Sequence, residues 1–183
     1  MSKKFWTSEK LLGLSALFVS LLTLMVFVYQ TNLIRKQQYR SVYPHLSITN
    51  FYSGSVDYQF VLKNDGVGPA LIQSVDISDL EGNSYKSISK YLHSKLSIKD
   101  SVWVYNSDLS EGRLIPANEE IILFGLFNEE QTMARKLPPN TISGAIKLRS
   151  ILNNDSLKVS ITYSSIYDES WTISNDSDVP VKN

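Results

Sequence analysis

Cysteine is absent from the 183 residues. That excludes disulfide staples, iron–sulfur and thiolate zinc sites, and a cysteine nucleophile. Histidine is scarce, and His45 and His93 lie far apart in the chain. Eight glycines and six prolines are too few for a low-complexity or collagen-like chain. Net charge is missing as well, since 18 Lys and Arg stand against 18 Asp and Glu, so no overall field exists to hold nucleic acid. These absences leave no activity to name. What they leave is an architecture, one membrane anchor carrying one β-rich domain.

The most informative absence is local. No charged residue occurs from Leu11 through Ile34, and Leu11 to Tyr29 reads LLGLSALFVSLLTLMVFVY. As a helix, such a run reaches about 28 Å, close to the hydrocarbon thickness of a bilayer. Ser15, Ser20 and Thr23 can return their hydroxyls to carbonyls one turn earlier, so they do not forbid insertion. Trp6 and Tyr29 flank the run with amphipathic rings, and Lys10 and Arg35 mark its charged limits. A cleaved signal peptide fits less well, because its apolar region is about 7 to 15 residues and needs small residues at the cleavage site. Tyr29-Gln30-Thr31-Asn32 offers none. A buried core helix needs a polar face, which this run lacks. The expectation is a transmembrane helix at 11–34, after a short basic tail at 1–10 and before a basic juxtamembrane stalk at 35–43.

The zero net charge hides an asymmetry. Before Tyr43 stand Lys3, Lys4, Lys10, Arg35, Lys36 and Arg40 against Glu9 alone, so the body of the chain is acidic. Three basic residues lie on each side of the apolar run, and the positive-inside rule returns a tie. The sequence therefore predicts a single-pass protein of the cell membrane without assigning the side of its C-terminal domain. The lipid bilayer is the expected partner of Leu11 to Tyr29. Arg35, Lys36 and Arg40 either lie along anionic lipid, at about 1 kcal/mol per charge, or serve as a plain stop-transfer flank. Ala16 and Ser20 form a small-xxx-small pair, which does not by itself make an oligomer.

From residue 44 to 174 the chain reads as one β-sandwich domain. Leu157-Lys158-Val159-Ser160-Ile161-Thr162-Tyr163 alternates without fault, so Leu157, Val159, Ile161 and Tyr163 are expected to point inward together. Ile146 to Arg149 continues the pattern, and Asn153-Asn154-Asp155 between them suggests a hairpin. Further strands are expected at His45–Thr49, Tyr58–Leu62, Pro69–Ile77, Ser101–Tyr105 and Trp171–Ile173, with Ile121–Phe127 apolar on both faces as in a central strand. Two short helical insertions interrupt them. One lies in Ser84–Leu96, where Ile88, Tyr91, Leu92 and Leu96 form a stripe. The other starts at Asn128-Glu129-Glu130-Gln131 and stops before Pro138-Pro139. Residues 175–183 read as a flexible acidic tail.

The most distinctive string is Leu62-Lys63-Asn64-Asp65-Gly66-Val67-Gly68-Pro69-Ala70. Gly66 and Gly68 permit positive φ, Asn64 can bond the turn's backbone, and Pro69 fixes φ as the chain leaves. A phosphate cradle would need a longer glycine loop opening a helix, whereas an apolar β segment follows here. With the basic exit Arg35-Lys36-Gln37-Gln38-Tyr39-Arg40, the extended Pro44-His45-Leu46 and the late Tyr163–Trp171 segment, this string resembles uncharacterised bacterial single-pass membrane proteins that share an Asn-x-Gly-x-Gly-Pro-Ala turn. The resemblance spans nearly the whole chain. The turn also resembles one that joins strands in immunoglobulin-like modules, which implies that fold. The Cys…Trp…Cys signature of true immunoglobulin domains is lacking.

Enzyme signatures do not assemble. There is no G-x-S-x-G, H-E-x-x-H, Walker loop or G-x-G-x-x-G between strand and helix. His45 and His93 have no nameable nucleophile or acid partner. Glu129 and Glu130 diverge on a helix, and Asp168-Glu169 lack EF-hand spacing. No catalytic, cofactor-binding or metal residue is assigned. The expected function is a membrane-tethered, non-catalytic binding or scaffolding module presenting its β-sandwich to a protein partner. The alternative is a membrane-bound, hydrolase-like enzyme whose histidine, acid and serine meet in a concave pocket only in three dimensions. A third reading is an accessory subunit that acts through its span.

Overall fold

The computed structural model describes residues 7–51, 58–95, 104–126, 157–177 and 179–183, and the chain divides into two units, Met1–Ser41 and Val42–Asn183. In the first unit a single helix, α1 (Ser8–Ser41), runs for 34 residues, with none of its residues buried. It is long and apolar enough to cross a membrane. At about 1.5 Å per residue it spans roughly 50 Å, well beyond a hydrocarbon core of about 30 Å. The hydroxyls of Ser15, Thr23 and Thr31 donate to the carbonyls of Leu12, Val19 and Phe27 at 2.8–2.9 Å, so these polar groups are satisfied within the helix.

The helix does not stop at Ile34. Gln30 to Ser41 contains neither Gly nor Pro, and Arg, Lys, Gln and Leu are strong helix formers, so the expected basic stalk continues α1 to Ser41. Pro44 ends it, by denying helical backbone to the residue before it and by lacking an amide.

The second unit consists of antiparallel sheets. The first has the order β1-β2-β7-β5, formed by β1 (Leu46–Phe51), β2 (Gln59–Asn64), β7 (Glu120–Leu126) and β5 (Val104–Asn106). The second runs β10 (Val181–Lys182), β9 (Ser170–Ser174), β8 (Leu157–Ser164), β3 (Ala70–Asp79), β4 (Ser84–Tyr85), and β6 (Leu114–Ile115) also pairs with β3. Both contribute to one core. Leu46, Phe60, Leu62, Ile121 and Leu123 from the first sheet join Ile72, Ile77, Val159, Ile161, Tyr163, Trp171 and Ile173 from the second. Each fully buried aliphatic or aromatic side chain contributes about 1.5–3 kcal/mol.

The alternation of β8 is realised, with Leu157, Val159, Ile161 and Tyr163 all buried. Its neighbours are β3 on one side and β9 on the other. The hairpin partner expected at Ile146–Arg149 and its turn at residues 153–155 lie outside those described. So do Asn128–Gln131, Glu129, Glu130, Leu96, Trp6 and residues 101–103. β7 lies between β2 and β5, the interior position expected for its apolar run. β3 carries a register shift between Ile72 and Ser74 opposite β8. Gln73 is the extra residue, so Ala70 and Ile72 before it and Ile77 after it all reach the core.

Helix α2 (Ile88–Lys95) buries Ile88, Tyr91 and Leu92, the stripe read from the sequence. The C-terminus differs from its reading as a flexible tail. Val181 and Lys182 pair with Thr172 and Trp171, and the Asn183 amide donates to the Ser170 carbonyl at 3.0 Å. β-Branched Val181 followed by Lys182 suits a short, charged edge strand.

Candidate functional site

The domain's chain begins at Val42, and the string from Asn64 to Ala70 grips its first residues. The amides of Val67 and Gly68 donate to the Tyr43 carbonyl at 3.0 and 3.2 Å, and the Asp65 amide to the His45 carbonyl at 2.8 Å. The two glycines serve a purpose other than the expected one. Positive φ occurs at Gly82 and Gly112, not at Gly66 or Gly68. Instead the segment from Val42 to His45 runs so close that a Cβ on Gly66 would strike the Tyr43 carbonyl and His45 amide, and one on Gly68 would strike Val42. Close backbone approach, rather than backbone conformation, excludes a side chain here.

Asn64 is the centre of the grip, and it is fully buried. Its Oδ1 accepts from the amides of His45 at 3.2 Å and Gly66 at 3.1 Å. Its Nδ2 donates to the carbonyls of Gly68, Ile115 and Pro116 at 2.9–3.1 Å, one of its two N–H groups being shared between two acceptors. One side chain thereby joins the start of the domain, the glycine turn and the loop before β7. A buried amide is tolerated because both its ends are satisfied.

Aromatic rings complete the junction. The Tyr43 ring meets Trp171 edge-on at 5.2 Å and 87°, and Trp171 stacks on Tyr163 at 5.8 Å and 28°. Such pairs add about 0.5–1.5 kcal/mol beyond area burial. The Leu46 amide donates to the Tyr163 hydroxyl at 3.3 Å, which links the two sheets, and burial pushes the Tyr163 hydroxyl above its ordinary range.

The residue types of the hydrolase reading meet beside this junction. Ser47 Oγ donates to Asp65 Oδ2 at 2.7 Å, and Lys63 Nζ lies 3.0 Å from Asp65 Oδ1. The Ser47 bond is the chief cause holding the Asp65 carboxyl below its ordinary range. His45 Nδ1 is 3.5 Å from the Tyr43 hydroxyl. A nucleophilic serine must give its proton to the histidine, whereas here the hydroxyl proton is directed at the carboxylate. The arrangement orders backbone and charge, and the Ser47 hydroxyl is paired with Asp65 and not with His45. A partly open pocket lined by Ser87, Ser107 and Asp108 together with apolar residues such as Ile77, Ile88 and Leu123 holds about 10 Å³, room for one water at most, and neither histidine lines it.

The other residues weighed from sequence lie apart. His93, in the last turn of α2, faces the Ser89 carbonyl at 2.7 Å. Asp168 has φ of 62° in the turn between β8 and β9, and Glu169 is bonded to Lys182 Nζ at 2.6 Å. Among the described residues no three metal-ligating side chains converge.

Sequence reasoning missed Asp79. Its carboxylate is buried and accepts from the Glu81 and Asn83 amides, Asn83 Nδ2, the Tyr85 hydroxyl and Lys95 Nζ at 2.8–3.1 Å. The Asn83 side-chain bond leads the causes holding it far below the ordinary carboxylate range. The legible signal was Asp79-Leu80-Glu81-Gly82-Asn83, a side-chain turn with glycine at positive φ. What the sequence did not show is the reach of Lys95 back from α2. All of these donors hold the carboxylate in place, so Asp79 organises the hairpin and docks the helix.

Comparison with family models, with curated protein sequences and with solved structures returned no match to this chain.

Proposed function

We propose that this chain is a membrane-tethered, non-catalytic binding or scaffolding module. In this reading α1 crosses the cell membrane once through Leu11 to Tyr29. The two sheets are read as an immunoglobulin-like sandwich of the kind the glycine turn resembles, presented to a protein partner. The observation that carries the reading is the grip on Val42–His45 by Asn64, Gly66 and Gly68. A domain meant only to trail from its anchor has no need of a buried amide and two obligatory glycines at its first residues. A module that binds a partner gains from first residues held against its own core, because an ordered entry leaves less to be ordered on binding.

The test exchanges Leu11–Tyr29 for an unrelated span of equal length and follows alkaline carbonate extraction together with photocrosslinks from the domain surface. A tether keeps both membrane retention and the crosslink pattern. Crosslinks lost on exchange would mean that the chain acts through its span, and extraction of the natural chain by carbonate would remove the tether altogether. Protease accessibility in intact against lysed cells assigns the side on which the partner is met.

A further inference from the structure

Nine large apolar side chains are exposed among the described residues of Val42–Asn183. Isolated ones are ordinary on a protein surface. Five of these, however, gather at one end. Val67 is 67% exposed in the turn that grips Tyr43, and Ile166 and Tyr167 are 55% and 41% exposed in the turn between β8 and β9. Leu71 pairs with Leu114 on one side and with Ser164 on the other, so the turn that follows Ser164, with Ile166 and Tyr167, leaves β8 at the end where β3 begins. This is also the end where the chain enters the domain, since Val42 lies against Gly68. Val42 follows Ser41, the last residue of the helix apolar enough to cross a membrane.

We propose that this end of the domain rests on the bilayer surface, with Val67, Ile166 and Tyr167 reaching the boundary between headgroups and acyl chains. The inference rests on the tether reading. Only Arg35 to Ser41 separate Ile34 from Val42, a helical rise of about 10 Å. A tyrosine ring suits the interface, having an apolar body and a polar tip, and valine and isoleucine supply apolar area. The charges around the patch point to the kind of lipid. Asp65 is bonded by Ser47 and Lys63, and Glu169 by Lys182, while Asp168 is exposed in the same turn. The rim of the patch itself, with its paired charges and one exposed carboxylate, adds no cations beyond Arg35, Lys36 and Arg40 of the stalk. The patch is therefore expected to engage a zwitterionic surface through its apolar boundary, without a response to salt at positions 67 and 166.

A chain without cysteine permits a direct test. Val67→Cys, Ile166→Cys and a control, Leu80→Cys, are each labelled with a polarity-sensitive fluorophore on the full-length protein in phosphatidylcholine vesicles. Leu80 is equally open, and it follows the far end of β3, about 30 Å along the strand. The expected result is blue-shifted emission, quenched by brominated acyl chains, at positions 67 and 166 but not at 80, unchanged by added salt. Equal, water-like emission at all three positions in carbonate-resistant protein overturns the surface contact while leaving the tether intact. A shift that grows with the protein-to-lipid ratio overturns it in favour of contact between copies. Extraction by carbonate overturns the tether and this inference together.

Discussion

Asn64 joins five backbone groups through one buried amide, and the effect of losing it is correspondingly local and large. Asn64→Ala leaves the His45 and Gly66 amides without that acceptor, and the expected destabilisation is about 3 kcal/mol, read from the shift in urea midpoint. Gly68→Ala pushes Val42 away and is expected to open the chain between Ser41 and His45 to limited proteolysis at neutral pH, where the natural protein resists. Asp79 gives the pH dependence. Its folded-state affinity for protons is depressed by the donors around it, so its contribution is complete above the unfolded carboxylate value of about 4 and is lost as pH falls below that value. Asp79→Asn is therefore expected to lower stability at pH 7. The gap between variant and natural protein should close as the pH is taken from 4 toward 2, measured by denaturant midpoints across that range.

Elements show how far periodicity carries. α1 is legible as an uncharged run, yet its extension to Ser41 follows from helix propensity and from Pro44 rather than from hydropathy, so the residues read as a stalk are helical as far as Ser41. β8 and the stripe on α2 followed their periods directly. In β3 the spacing of three between Ile72 and Val75 breaks the alternation, and the bulge at Gln73 is the physical consequence. Without that residue, Ala70, Ile72, Val75, Ile77 and Asp79 fall on one face in period two. Deleting Gln73 is expected to keep the fold at a cost of about 1 kcal/mol, because every other pair with β8 stays in register. Deleting Asp76 turns Ile77 and Asp79 to the opposite face and is expected to abolish cooperative thermal unfolding. Circular dichroism melts of the two deletions distinguish these outcomes. The two-residue strands β4, β6 and β10 were not legible, since a pair of residues has no period and is recruited by a neighbour's edge.

At the scale of the whole molecule, residues Val42–Asn183 form a unit with their own core. That fragment alone is expected to fold and to give a mainly β circular dichroism spectrum with a cooperative melt; a helical spectrum or a featureless melt would refute its independence. The amino-acid sequence by itself determined the lipid-compatible run, the β class of the remainder and the residues of the glycine turn. Those depend on local hydropathy, alternation and backbone need, which act over a few neighbouring positions. Only the tertiary structure decided which strands are neighbours, why Gly66 and Gly68 must lack side chains, and that Lys95 returns to Asp79 and Tyr163 to Leu46. Such contacts join positions distant in the chain, and they arise where sheets pack, which no local pattern encodes.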